Sequence, residues 1–231
     1  MRREHITLDG VPALLWGPPA ERVFLYVHGQ GGSKEEAASF SGAACPRGWQ
    51  VLSVDLPGHG ERAEGTDSFD PWHAVPELRR VMDHVGANWA AAALYANSIG
   101  AWFSMLALRD RDLERCLFVS PILDMTKLIQ TMMGWAGVTE ERLKAEGTIP
   151  TDFGQTLSWD YLTYAREHPV VSWPFPTSIL YAGQDHLTDR VAVEDFARRF
   201  SCRLTVMEQG EHWFHTPEQL AFLERWTLEQ F

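Results

Sequence analysis

In Leu94-Tyr95-Ala96-Asn97-Ser98-Ile99-Gly100 an apolar run stops at a serine and a helical pattern begins. Trp89 to Ala96 has the length and apolarity of a buried strand, and Ala101 to Leu108 suits a packed helix. A tight turn between them would hold the Ser98 backbone in strained geometry. Small residues two places either side, Ala96 and Gly100, would let strand and helix approach closely. The hydroxyl would then be exposed over the positive end of the helix. The plainer reading of a serine here is a helix N-cap. The pentad alone does not choose between the two, so the rest of the chain has to.

Strand and helix signals alternate around this turn. Asp9-Gly10 is a turn dipeptide between His5–Leu8 and Pro12–Trp16, which predicts an opening hairpin. Arg22–Val27 reads as a buried strand running into His28-Gly29-Gln30-Gly31-Gly32, and Ser33 with Glu36 predicts a capping box for a helix through Phe40. Trp49–Val54 is the next strand, ended by Asp55-Leu56-Pro57-Gly58-His59-Gly60. Asp70-Pro71 predicts the N-cap and first turn of a helix to about Val85. Cys116–Ser120 and Ser178–Gly183 are further strands. Thr188 is expected to cap the helix carrying Phe196 and Phe200, with Asp189 in its first turn. A last strand, Leu204–Met207, precedes a helix opened by Thr216-Pro217-Glu218-Gln219. Strands this apolar, separated by helices, imply an α/β fold with a mainly parallel sheet covered on both faces.

The alternation breaks down from Pro121 to Pro176, where an inserted cap is expected; residues 1–231 otherwise read as one domain. Met125, Leu128, Ile129, Met132 and Met133 fall at helical spacing, and a second helix is predicted from about Ser158 to His168. A methionine stripe is ordinarily core packing. Met125, Met132, Met133, Trp135, Trp159 and Tyr161 are nevertheless the candidates for lining a substrate pocket, which would make the cap the selector of substrate.

With 231 residues, 45% of them hydrophobic, the chain supports one substantial core. A net charge of −11 argues against nucleic acid or an anionic membrane surface as the main partner and favours a neutral or cationic small substrate. Cys45, Cys116 and Cys202 are scattered, without metal-ligand spacing, and read as reduced core residues. Neither a metal nor another cofactor is called for. Met1-Arg2-Arg3-Glu4-His5 is followed by no apolar export segment, and no run approaches the roughly 18 apolar residues of a membrane span. A cytoplasmic protein is expected, with the choice between monomer and homodimer open.

Three residues share a position in this scheme: Ser98, Asp185 and His212 each lie just beyond the C-terminal end of a predicted strand, the edge where open α/β sheets bind ligands. The pentad resembles the nucleophile elbow of the α/β-hydrolase fold, with Ala96 in place of the usual glycine, and the order serine, acid, histidine is that family's triad order. His28-Gly29 and Asp55-Leu56-Pro57-Gly58-His59-Gly60 extend the resemblance across nearly the whole chain outside the cap. It implies Ser98 as nucleophile, His212 as base and Asp185 as the acid that orients it, with Asp124 the alternative acid. Elbow geometry makes the Ile99 N–H one oxyanion donor; the resemblance makes the Gln30 N–H the other, with Gly31 as fallback. His28 and His59 read as loop-ordering residues and His215 as structural.

The motifs are most similar to small cytoplasmic serine carboxylesterases with a short cap, the cinnamoyl and feruloyl esterase type. The implied activity is cleavage of small to medium acyl or aromatic acyl esters through an acyl-enzyme. Thioesterase, lactonase, small amidase or peptidase, and carbon–carbon hydrolase chemistry run on the same set, and a non-catalytic small-molecule-binding module is the reading from a different class.

Overall fold

The structure is a computed structural model and describes residues 2–65 and 68–231. Met1, from the basic opening segment, lies outside the described residues, as do Thr66 and Asp67. The opening hairpin forms as its turn dipeptide predicts: β1 (Arg3–Leu8) pairs antiparallel with β2 (Val11–Trp16). The parallel strands are β3 (Arg22–Val27), β4 (Trp49–Val54), β5 (Ala91–Asn97), β6 (Cys116–Val119), β9 (Thr177–Ala182) and β10 (Arg203–Met207). Together with the hairpin they make an eight-stranded sheet in the order β1-β2-β4-β3-β5-β6-β9-β10, so β5 lies inside it with β3 and β6 alongside.

Period-2 alternation sorts the strand side chains to two faces. Phe24, Tyr26, Ala93 and Tyr95 point to one face, beneath α1 (Ala37–Ala44) and α8 (Pro217–Leu228). Val23, Leu25, Val27, Leu94 and Ala96 point to the other, packed with α2 (Pro71–Asn88), α3 (Ile99–Leu108) and α7 (Arg190–Arg199). Asp70 caps α2 by accepting the His73 N–H, with Pro71 at the first position, and Thr216 caps α8 by accepting the Gln219 N–H.

Two predicted caps are replaced. Ser33 makes no side-chain cap, because a short 3-10 turn over Lys34–Glu36 intervenes and the Lys34 N–H is claimed by Asp55. The helix that follows is α1, which runs on to Ala44. Thr188 spends its hydroxyl on the Pro121 carbonyl, so Asp189 caps α7 instead, accepting the Ala192 N–H.

Residues 121–176 hold α4 (Met125–Ala136), α5 (Glu140–Glu146), a hairpin of β7 (Thr148–Pro150) and β8 (Thr156–Ser158), and α6 (Trp159–Glu167). The sequence anticipated α4 and α6 but not α5 or the hairpin, which are too short for a periodic signal. Leu143, Leu162 and Ala165 join the same core as α2 and α3, so this segment is packed into the body of the protein. Among the described residues no helix is long and apolar enough to cross a membrane.

Candidate active site

The turn between β5 and α3 places Ser98 at φ 50°, ψ −125°, a strained backbone for a residue with a side chain. Hydrogen bonds fix it on both sides. The Ser98 N–H donates to the Val119 carbonyl at 3.0 Å, and the Ser98 carbonyl accepts from Ile122 N–H at 3.0 Å. The small residues of the pentad differ in how much they matter. A Cβ at Gly100 would lie 2.3 Å from the His28 carbonyl oxygen, so only glycine fits there, whereas the Ala96 methyl packs fully buried in the core.

Ser98 Oγ lies 2.8 Å from His212 Nε2, and His212 Nδ1 lies 2.7 Å from Asp185 Oδ2. The loops that carry the last two are tied together. Gln184 N–H donates to the Gly210 carbonyl and Gly183 N–H to that of Met207, and a Cβ at Gly183 would strike the Glu208 backbone at 2.6 Å. The Asp185 side chain is fully buried and its second oxygen accepts the Leu187 and Thr188 N–H groups, which locks the carboxylate plane. Such an acceptor fixes the proton of His212 on Nδ1 and leaves Nε2 to take one from Ser98. Asp124 is elsewhere employed: it caps α4 by accepting the Lys127 N–H.

The loop from His28 to Gly32 comes down onto Ser98, and Gly29 permits it, since a Cβ there would sit 3.0 Å from Ser98 Cβ. Among the described residues the Gln30 and Ile99 N–H groups have no protein acceptor, while the Gly31 N–H is used by His59 Nε2 at 2.9 Å. Two histidines zip this loop to the Asp55–Gly60 loop. His28 donates Nδ1–H to the Gly29 carbonyl and accepts the Leu56 N–H on Nε2; His59 donates Nδ1–H to the Pro57 carbonyl and accepts from Gly31. Burial pushes the His28 pKa down to about 4, outweighing its backbone bond, so the ring stays neutral and keeps its acceptor. Beneath it, buried Asp55 accepts the Lys34 N–H, the Glu61 N–H and the Lys34 ammonium at 2.7 Å. Burial opposes both charges, but their mutual pairing and the added hydrogen bonds prevail, holding Asp55 low and Lys34 high.

A cavity of about 1260 Å³ opens at Ser98 and His212. Of the six candidate lining residues only Met132 and Trp135 border it. Met125 and Met133 lie on the neighbouring stripe of α4 with Ile129 and are buried in the core, while Leu128, Met132 and Trp135 face the cavity. The two stripes are offset by three residues, Met125 to Leu128 and Ile129 to Met132, a distinction the apolar pattern cannot make. Tyr161 is wedged against Trp102 and Trp72, and Trp159 lies beneath the Lys144 ammonium at 5.5 Å. Both attach the segment to its surroundings and do not line the cavity. Phe153, His186 and Trp213 complete its rim beside Trp135, and these loop and hairpin aromatics carry no periodic signal in the sequence. Among the described residues no group of three or more His, Cys, Asp or Glu is arranged to hold a metal ion.

No curated protein matches the sequence. Among solved structures, Est1E from Butyrivibrio proteoclasticus with ferulic acid bound superposes at a TM-score of 0.79 with 19% identity, covering 98% of this chain and 97% of that one. Alpha/beta hydrolase domain-containing protein 10 from mouse gives a TM-score of 0.77 at 12% identity, over 100% and 98% of the two chains. A soluble variant of monoglyceride lipase from Saccharomyces cerevisiae, in complex with a substrate analog, gives 0.67 at 12% identity, over 99% and 93%. At these identities the likeness is one of fold. The model of the alpha/beta hydrolase family matches residues 24–225, most of the chain, and the protein therefore belongs to the alpha/beta hydrolase family.

Proposed function

We propose that the protein is a serine hydrolase, a carboxylesterase that cleaves small to medium acyl or aromatic acyl esters through an acyl-enzyme. The observation that carries this reading is the unbroken chain from Ser98 Oγ through His212 to buried Asp185 on a strained turn. In the first half-reaction Ser98 Oγ bonds to the ester carbonyl carbon as its proton passes to His212 Nε2. The oxyanion that forms meets the Gln30 and Ile99 N–H groups, which are fixed by the backbone and need no reorganisation. The carbon–alkoxy bond then breaks, and the leaving alcohol takes the proton from His212. Water repeats the sequence on the acyl-enzyme, releasing the acid and free Ser98. Asp185 keeps His212 in the correct tautomer throughout and stabilises its imidazolium.

The aromatic rim of Trp135, Phe153 and Trp213, with Met132 inside it, supports an acyl group of moderate size with a flat face. The ferulic acid held by Est1E, a fold neighbour, points the same way. Ser98→Ala should fold as the wild type does and lose p-nitrophenyl acetate and butyrate turnover by at least about three orders of magnitude. Wild-type turnover in that variant would remove Ser98 from the chemistry.

A further inference from the structure

The cavity at Ser98 has a second limb, bordered by helices of the opposite sheet face from α4. It runs between α1 and α8, which both start near the site. Glu36, Ser39 and Ala43 face it from the α1 side, and Leu220, Glu224 and Leu228 from α8. The α8 positions recur every four residues, one stripe along the length of a twelve-residue helix, so the limb extends for most of that helix. Tyr26 and Tyr95 line it as well, stacked on each other with ring centroids 4.9 Å apart. At about 1260 Å³ the whole cavity exceeds the roughly 300–1,000 Å³ of an ordinary small-molecule pocket, room for two arms around one reacting carbon.

The polar groups of this cavity are one-sided. Glu36 and Glu224 face it, and among the described residues neither has an ion-pair partner. Among the described residues no lysine or arginine borders the cavity. Two further side-chain oxygens bordering it, Asn97 Oδ1 and Ser120 Oγ, are buried without a hydrogen-bond partner, and Ser120 is only 2% exposed. The Asn97 amide is oriented by its Nδ2, which donates to the Tyr26 hydroxyl at 2.8 Å and so commits Oδ1 to the acceptor role. Buried oxygens left unpaired are costly, and their lone pairs add to the negative potential that a cationic group meets whether or not it carries an N–H. Unpaired carboxylates with no basic side chain beside them among the described residues suit a cation.

We propose that the α1–α8 limb is a second substrate subsite and takes an arm bearing a quaternary or protonated ammonium group. This rests on the serine hydrolase reading for the position of the ester carbonyl, at Ser98 between the two limbs. The arm would place its charge against Glu36 and Glu224, leaving the other arm to the aromatic rim.

Matched ester pairs differing only in charge test it. The first pair is 4-(trimethylammonio)butyl acetate and 5,5-dimethylhexyl acetate, in which carbon replaces nitrogen. The second, methyl 5-(trimethylammonio)pentanoate and methyl 6,6-dimethylheptanoate, puts the charge on the acyl side. In at least one pair kcat/KM should favour the cation by about tenfold or more, and the ratio should fall as salt is raised. In Glu36→Gln/Glu224→Gln that ratio should collapse toward one. Equal kcat/KM within both pairs, or a preference that survives the double substitution, would overturn the proposal. Calorimetric binding of the acetamide analogues of the first pair and the pentanamide analogues of the second to Ser98→Ala separates the two readings. Cation-selective binding by a protein that hydrolyses no ester would sustain the subsite and sink the hydrolase reading. Ester turnover with no cation preference in either kcat/KM or binding would do the reverse.

Discussion

Asp185 and Asp124 are both acids shortly beyond a strand end, and their surroundings give them different work. The Asp185 carboxylate is fully buried, holds two backbone N–H groups on one oxygen and presents the other to His212. Asp124 spends its carboxylate on the first turn of α4. Replacing Asp185 with Asn swaps an acceptor for an amide and permits the wrong His212 tautomer, so kcat should fall by about 10⁴. Asp124→Ala should cost only about 1 kcal/mol of stability, the price of a lost cap, with turnover within a few-fold of wild type. Steady-state ester kinetics and urea unfolding on the two variants check this, and equal losses of activity would return Asp124 to candidacy as the acid. The order Ser98, Asp185, His212 was legible in the sequence because each residue follows a strongly apolar strand. Which of the two carboxylates reaches His212 was not, since it depends on which loop is tied to the His212 loop, and that tie runs through Gly183 and Gly210 backbone groups.

The two loops that frame Ser98 depend on a histidine that must stay neutral. His28 is fully buried, accepts the Leu56 N–H and has its pKa pushed down to about 4 by burial. In the unfolded chain its pKa is near 6.5, so between about pH 6.5 and 4 the unfolded state binds the extra proton. Stability from this group is therefore complete above about pH 6.5 and is lost as pH falls toward 4, by up to about 3 kcal/mol. Urea unfolding of wild type and His28→Gln at a series of pH values reads it directly. The wild type should lose more stability than the variant across that window, and parallel profiles would show that His28 is already free to protonate in the fold. Histidines as loop-ordering residues could be inferred from their glycine-rich settings. The capping scheme was less visible: Ser33 and Thr188 carry the right hydroxyls, but Asp55 and Pro121, remote in sequence, compete for the groups involved. Long-range competition of this kind leaves no local pattern.

Assembly of the chain sets the sheet, α1 and α8 on one side of the Ser98 edge and residues 121–176 on the other, with the cavity between them. The parallel strands and their order of appearance were legible because all but the edge strand β10 are largely buried on both faces and read as continuous apolar runs. Within 121–176 the legible part was α4, whose twelve residues are long enough to show a period; α5, the hairpin and the aromatic rim were not. Tyr161 and Trp159 look like pocket residues by composition, yet this segment needs them to hold itself against Trp102 and α5. All of these parts converge on one claim, that Ser98 is a nucleophile activated by His212. The direct measurement is intact-protein mass spectrometry after treatment with a fluorophosphonate, followed by peptide mapping. One adduct per chain on Ser98 is expected in the wild type, absent in Ser98→Ala and slowed by at least about 10³ in His212→Ala. A folded wild-type protein that takes no adduct, or takes it at another residue, would contradict the account.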